Sequence, residues 1–329
     1  MRTLLLYGLA LLAIANAQSC PDDHGLTFCY PYPVQHYYFQ SQLTDLTMAY
    51  MDVAPTTEPN NETIVLLHGK NFCSATWNAT AHVLADHGYR VIMPDQIGFC
   101  KSSKPQGYQF SFQQLAYNTR SLLHSLNIDK STILGHSMGG MLSARYALMF
   151  PGNTTRLVMT NPLGLEDWKA KGVPFLPLEQ IYLSEKAMNF TSIKAYEQAT
   201  YYAATWQDSY SVWVSMLELV YNGTQGGLFW WDQAKITDMV LDQPVLYEFP
   251  LIKPPTLLLI GQKDNTAIGK QWSPSAVQAV IGNYSVLGKE AHAAITGSTL
   301  VEFAEAGHAP QIQVPEQFYE ALLGWLADS

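Results

Sequence analysis

The chain has 329 residues, 18 Lys and Arg against 27 Asp and Glu, and a formal net charge of −9. Hydrophobic residues make up 48% and charged residues only 14%, which excludes a disordered chain and leaves enough apolar mass for a sizeable core. The acidic balance excludes nucleic acid as a partner, because nothing neutralises a run of phosphates.

At the N-terminus Arg2 precedes an apolar run from Leu4 to Ile14, then Ala15-Asn16-Ala17. A charged start, a short apolar middle and a small-x-small end read as a secretory signal peptide. The apolar run reaches about 17 Å as a helix, short of the roughly 30 Å of hydrocarbon in a bilayer. Cleavage is expected near Ala17, leaving 312 residues and no later segment that spans a membrane. Secretion gives meaning to six Asn-x-Ser/Thr sequons, at Asn61, Asn78, Asn153, Asn189, Asn222 and Asn283. Glycans there would wet a surface short of charge. Cys20, Cys29, Cys73 and Cys100 allow three pairings, of which Cys20–Cys29 with Cys73–Cys100 is favoured. No Cys-x-x-Cys pair or neighbouring His cluster suggests zinc, and no cofactor or metal is implied.

Further along, strands are expected at Leu46–Val53, Thr63–Leu67, Arg90–Pro94, Thr132–Gly135, Arg156–Thr160, Thr256–Ile260 and Thr299–Phe303. Several are continuous apolar runs, such as Leu257-Leu258-Leu259-Ile260, the mark of strands covered on both faces. Helical patterns fall at Ala75–His87, Phe112–Leu126, Met138–Phe150 and Gln317–Leu326. This alternation predicts an α/β architecture with a mostly parallel central sheet. Residues 165–250 break it with helical stretches at Glu179–Met188, Ser192–Thr205 and Ser209–Tyr221. They hold 16 of the chain's 40 aromatics, about twice the density elsewhere, and are too long for a connecting loop. A helical cap inserted into a core of residues 18–164 and 251–329 is expected.

The sharpest motif is Gly135-His136-Ser137-Met138-Gly139, between an expected strand and an expected helix. A turn this tight needs small residues either side of the serine and lifts its hydroxyl above the sheet edge. A serine needs a base and an orienting acid. Gly307-His308 follows the last expected strand, so His308 fits the base. Asp264 follows Gly261 at a strand's end and fits the acid, with Glu166 or Asp167 as the alternative. An oxyanion hole needs two N–H donors. The Met138 N–H fits one, and the turn His68-Gly69-Lys70 offers the Lys70 N–H as the second. His68 and Asp95 read as structural.

With Leu67-His68-Gly69, Asp95-x-x-Gly98-Phe99-x-x-Ser102, Gly261-x-x-Asp264 and Gly307-His308 in this order, the chain resembles the α/β-hydrolase fold superfamily, serine hydrolase branch with a helical cap. The resemblance covers about residues 45–329. It implies a triad of Ser137, Asp264 and His308, with oxyanion donors at Lys70 and Met138. A serine rather than an aspartate at the elbow separates the chain from the haloalkane dehalogenase and epoxide hydrolase branches. Cys100 stands where relatives often carry Gly. The expectation is a secreted serine hydrolase that cleaves a carboxylic ester or lactone through an acyl-enzyme. Alternatives are a C–C bond or amide hydrolase on the same triad, or a non-catalytic ligand-binding protein. The aromatic cap points to a small apolar or aromatic-containing substrate.

Overall fold

The apolar runs form strands whose side chains are buried on both faces. The computed structural model describes residues 20–328, so the leader expected at residues 1–17 lies outside the described residues. One eight-stranded sheet contains β1 (Val34–Ser41), β2 (Thr44–Val53), β3 (Thr63–Leu67), β4 (Arg90–Pro94), β5 (Ser131–His136), β6 (Thr154–Thr160), β7 (Thr256–Gly261) and β8 (Thr299–Phe303). The strands lie in the order β1-β2-β4-β3-β5-β6-β7-β8. β2 pairs antiparallel with β1 and β4, and the remaining pairs are parallel. The expected α/β fold, mostly parallel and flanked by helices, is therefore present.

Successive strand residues alternate between two apolar layers, as the pleat requires. Val65, Leu67, Ile133, Met159, Leu258 and Ile260 face one, which α2 (Phe112–Ser125), α3 (Met138–Met149) and α9 (Tyr284–Ala294) complete. Ile64, Leu66, Leu134, Val158, Leu257 and Leu259 face the other, which α1 (Asn78–Asp86) and α11 (Pro315–Asp328) complete. Short helices α8 (Ser275–Gln278) and α10 (Pro310–Gln313) join these elements. Ser111 caps α2 by accepting the Gln114 N–H at 3.0 Å. The chain runs from β3 out to β4 on one side and then back past β3 to β5 on the other, the reversal of direction that opens a crevice at the carboxyl ends of the strands.

Between β6 and β7 the chain forms four helices, α4 (Leu178–Lys186), α5 (Phe190–Thr200), α6 (Ser211–Tyr221) and α7 (Gly226–Asp242), and no named strand. α4 and α6 lie close to the expected helical stretches, whereas α5 ends at Thr200 instead of Thr205 and α7 falls where no helix is expected. The α5 helix stops because Ala203 and Ala204 adopt φ of 51° and 62°, a left-handed turn that no glycine announces. α7 hides from periodicity because its buried side carries the polar residues Asp232, Gln233 and Thr237 while Leu228 is exposed and Trp231 half-exposed, which blurs the apolar stripe. β1 was also missed. Its hairpin to β2 turns at Gln42 and Leu43, with φ of 51° and 58°, where a Gly or Asn would have given the signal.

Both cysteine pairs stand at bonding distance. Cys20 joins Cys29 near the start of the described chain. Cys73 joins Cys100, tying the loop after β3 to the loop after β4. The 27-residue separation of that bond gives it leverage over the unfolded chain. Replacing both Cys73 and Cys100 by Ser should cost about 3–4 kcal/mol, read as a lower denaturant midpoint. An unchanged midpoint would contradict this. Of the six sequon asparagines, Asn61, Asn189, Asn222 and Asn283 are exposed, and Asn78 and Asn153 are half-buried. Among the described residues no helix is long and apolar enough to cross a membrane.

Candidate active site

The carboxyl ends of five neighbouring strands, β3, β5, β6, β7 and β8, bring the candidate residues to one edge. Ser137 sits between β5 and α3 with φ 59° and ψ −123°, a backbone conformation rare outside glycine. The flanking glycines make this turn possible by close approach. A Cβ on Gly135 would lie 1.9 Å from the Gly139 carbonyl oxygen, and one on Gly139 would lie 2.2 Å from that of Leu67. A side chain at either position would push α3 off the sheet.

His308, on the loop after β8, places Nε2 2.8 Å from Ser137 Oγ. Its Nδ1 lies 2.6 Å from Asp264 Oδ2, past the end of β7. All three side chains are buried, at 2%, 0% and 3% exposure for Ser137, His308 and Asp264, so no bulk water competes for these bonds. With Nδ1–H donated to Asp264, Nε2 keeps its lone pair for the serine hydroxyl. A hydroxyl, imidazole and carboxylate in this chain can draw a proton from Oγ.

Asn161 completes the acid's surroundings and escaped the sequence reading. It follows β6 directly, at φ 37°. Its Nδ2 donates to Asp264 Oδ2 at 2.8 Å, and its Oδ1 accepts the Gly261 N–H at 2.9 Å. The Thr266 N–H donates to Asp264 Oδ1 at 2.8 Å. Position alone, one residue beyond a parallel strand's carboxyl end, was the available signal. The alternative acids lie elsewhere. Glu166 accepts from Trp168 Nε1 and the Gly282 N–H and pairs with Lys171, while Asp167 accepts from the Ala170 N–H and Tyr247.

Met138 opens α3, so its N–H is one of the donors a helix start leaves without an intrahelical partner. Lys70 lies in the turn that Phe72 N–H closes on the Gly69 carbonyl at 3.2 Å. A Cβ on Gly69 would stand 2.9 Å from Ser137 Cβ, so only glycine lets this turn lie against the serine. Both candidate oxyanion donors thus flank Ser137. His68 is buried, with Nδ1 on the Gly69 carbonyl and Nε2 accepting the Gln96 N–H. Burial holds it below its usual pKa, in keeping with a structural role. Asp95 is likewise a scaffold, accepting from the Ser74 N–H, the Lys101 N–H and Tyr30. His136 donates from Nε2 to the His308 carbonyl at 2.7 Å, and burial, then the charge of His308, pushes its pKa well down.

The end of α5 grips the His308 loop. The His308 and Ala309 N–H groups donate to the Thr200 and Tyr201 carbonyls, and the Tyr201 ring lies 4.7 Å from the imidazole. Tyr201 Oη accepts from Asn71 beside the Lys70 turn, joining the helical segment to both loops. In the same helix Glu197 is fully buried, with no partner on either carboxylate oxygen among the described residues. Desolvation raises its pKa from 4.5 to about 8. The folded form therefore holds a proton that the unfolded form releases above pH 4.5, and stability falls as pH rises from there to about 8. Glu197→Gln should remove this penalty, stabilising the protein at pH 8 by about 4 kcal/mol and hardly at all at pH 4.5. Equal melting-temperature gains at both pH values would contradict it.

Above Ser137 a cavity of about 260 Å³ opens between the strand ends and the helical segment. Leu163, Ile181, Met188 and Trp272 give it apolar walls, and Lys70, Asn71 and Glu185 give it a polar side.

A family model described as the alpha/beta hydrolase fold matches residues 62–315. The crystal structure of a "probable hydrolytic enzyme" from Pseudomonas aeruginosa PAO1 is 52% identical, with a TM-score of 0.89, covering 90% of this chain and 95% of that one. The enol-lactonase from Burkholderia xenovorans LB400 is similar in fold alone, at 18% identity and a TM-score of 0.65 over 88% of this chain and all of its own. An uncharacterised protein of Mycobacterium tuberculosis H37Rv is 37% identical over 102 residues, 31% of this chain and 29% of that relative's length. The match thus spans under a third of that protein.

Proposed function

The chain belongs to the α/β-hydrolase fold family, and from that premise we propose that it is a secreted serine hydrolase that cleaves a carboxylic ester or lactone. The observation that carries this reading is the buried chain of hydrogen bonds from Ser137 through His308 to Asp264, at 2.8 and 2.6 Å. The two disulfides favour an oxidising compartment, and the accessible sequons fit glycosylation there.

His308 Nε2 takes the proton as Ser137 Oγ attacks the carbonyl carbon. The Lys70 and Met138 N–H groups hold the oxygen that becomes negative. Asp264 stabilises the imidazolium and fixes its orientation, and Asn161 holds Asp264. The imidazolium then protonates the leaving alkoxide, and the acyl group stays on Oγ. Water attacks next, giving its proton to Nε2, and the acid departs as Ser137 regains the proton. One water is consumed per ester, and an acid and an alcohol leave. Residues 165–250 act as the cap, closing the cavity and holding the His308 loop through α5.

A panel of p-nitrophenyl esters of increasing chain length, lactones and aminoacyl anilides tests the reaction class. Turnover of the esters or lactones is expected. Turnover confined to the anilides would replace the reading with amide hydrolysis.

A further inference from the structure

Two oppositely charged side chains meet inside the cavity. Lys70 Nζ, from the turn after β3, meets Glu185 Oε1, from α4, at 2.7 Å, and both side chains are nearly buried, at 11% and 12% exposure. Tyr221 donates to the second oxygen of Glu185. All three side chains line the cavity over Ser137. Glu185 thus has a donor on each oxygen, whereas the ammonium of Lys70 carries three N–H donors and has this one acceptor among the described residues. Two donors are left for whatever occupies the cavity.

We infer that the substrate is a small, uncharged ester or lactone with a second hydrogen-bond-accepting oxygen, within a lysine side chain's reach of the reacting carbonyl, bound by Lys70 Nζ. This rests on the hydrolase reading above. Three physical points lead there. Lys70 is also the candidate oxyanion residue, so its ammonium and the reacting carbonyl belong to one end of the cavity. The volume of about 260 Å³ lies below the roughly 300–1,000 Å³ of sites for drug-sized ligands, which excludes a long chain held inside. The Lys70–Glu185 pair is neutral as a unit. A carboxylate on the spare donors would lie beside the like-charged Glu185, and an ammonium would face Lys70. A hydrocarbon group would strip water from the two spare donors and return nothing.

The test compares kcat/KM on three p-nitrophenyl esters of similar size: butyrate, methoxyacetate and hydrogen succinate. Methoxyacetate puts an ether oxygen in place of a butyrate methylene. Its greater intrinsic reactivity cancels when the methoxyacetate-to-butyrate ratio is compared between wild type and Lys70→Met, which keeps the backbone N–H. The ratio should be at least tenfold higher in the wild type. The anionic succinate should be the poorest of the three in wild type and gain at least tenfold, relative to butyrate, in Glu185→Gln, which leaves Lys70 unpaired. The Glu185→Gln comparison decides the matter where Lys70→Met does not fold, as judged by its melting curve. Equal methoxyacetate-to-butyrate ratios, or succinate as the best wild-type substrate, would overturn the inference and leave the hydrolase reading standing. No wild-type turnover on any of the three would overturn the inference, and no turnover on the lactones either would overturn both.

Discussion

Ser137→Ala should lower kcat on a p-nitrophenyl ester by about a million-fold, the scale seen when a serine hydrolase loses its nucleophile. The hydroxyl removed is the atom that His308 Nε2 approaches at 2.8 Å, and among the described residues no other hydroxyl bonds to that nitrogen. Residual acceleration of about 10³–10⁴ over water should persist, because the Lys70 and Met138 N–H groups and the cavity remain. The fold should persist too. Alanine keeps the Cβ that the φ of 59° at this position already accommodates, and the change removes one side-chain hydrogen bond. Turnover within tenfold of wild type, at an unchanged melting temperature, would show that chemistry proceeds without Ser137.

Asp264→Asn should cost about 10⁴ in kcat, with a smaller change in KM. The reason is the direction of the protons. Asp264 Oδ2 accepts from His308 Nδ1 and from Asn161 Nδ2, and Oδ1 accepts from the Thr266 N–H. An amide has one oxygen for these donors. With its oxygen on Thr266, its NH₂ group faces the imidazole and favours the tautomer whose proton is on Nε2, where it points at Ser137 instead of accepting from it. Asp167→Asn is the control, because its carboxylate bonds the Ala170 N–H and Tyr247 away from the site. It should retain turnover within about twofold, as surface substitutions do. Equal losses in the two variants would remove Asp264 from its assigned role.

Residues whose role follows from sequence-local chemistry were the legible ones. Gly135, Ser137 and Gly139 announce a tight strand-to-helix turn, and close approach of the backbone explains both glycines. The apolar runs Ile64–Leu67 and Leu257–Ile260 announce strands covered on both faces, which is how they pack. What escaped depends on contacts distant in the chain. Asn161 matters because β6 lies beside β7, which brings it to Gly261 and Asp264, 100 and 103 residues further on. Glu185 reaches Lys70 across 115 residues, so the sequence offered only the N–H of this lysine and no partner for its side chain. Tyr201 is one of 16 aromatics in residues 165–250, and nothing in the sequence singles it out. Its ring against His308 and its carbonyl under the Ala309 N–H give it a place only the fold reveals. The left-handed residues Gln42, Leu43, Ala203 and Ala204 carry no glycine, so the turns they make left no mark.

Labelling of the folded wild-type protein with a fluorophosphonate, followed by mass mapping of the adduct, tests the central claim most directly. One adduct is expected, on Ser137, lost in His308→Ala and in heat-unfolded protein. No adduct on folded protein, or one on another residue with Ser137 untouched, would contradict it.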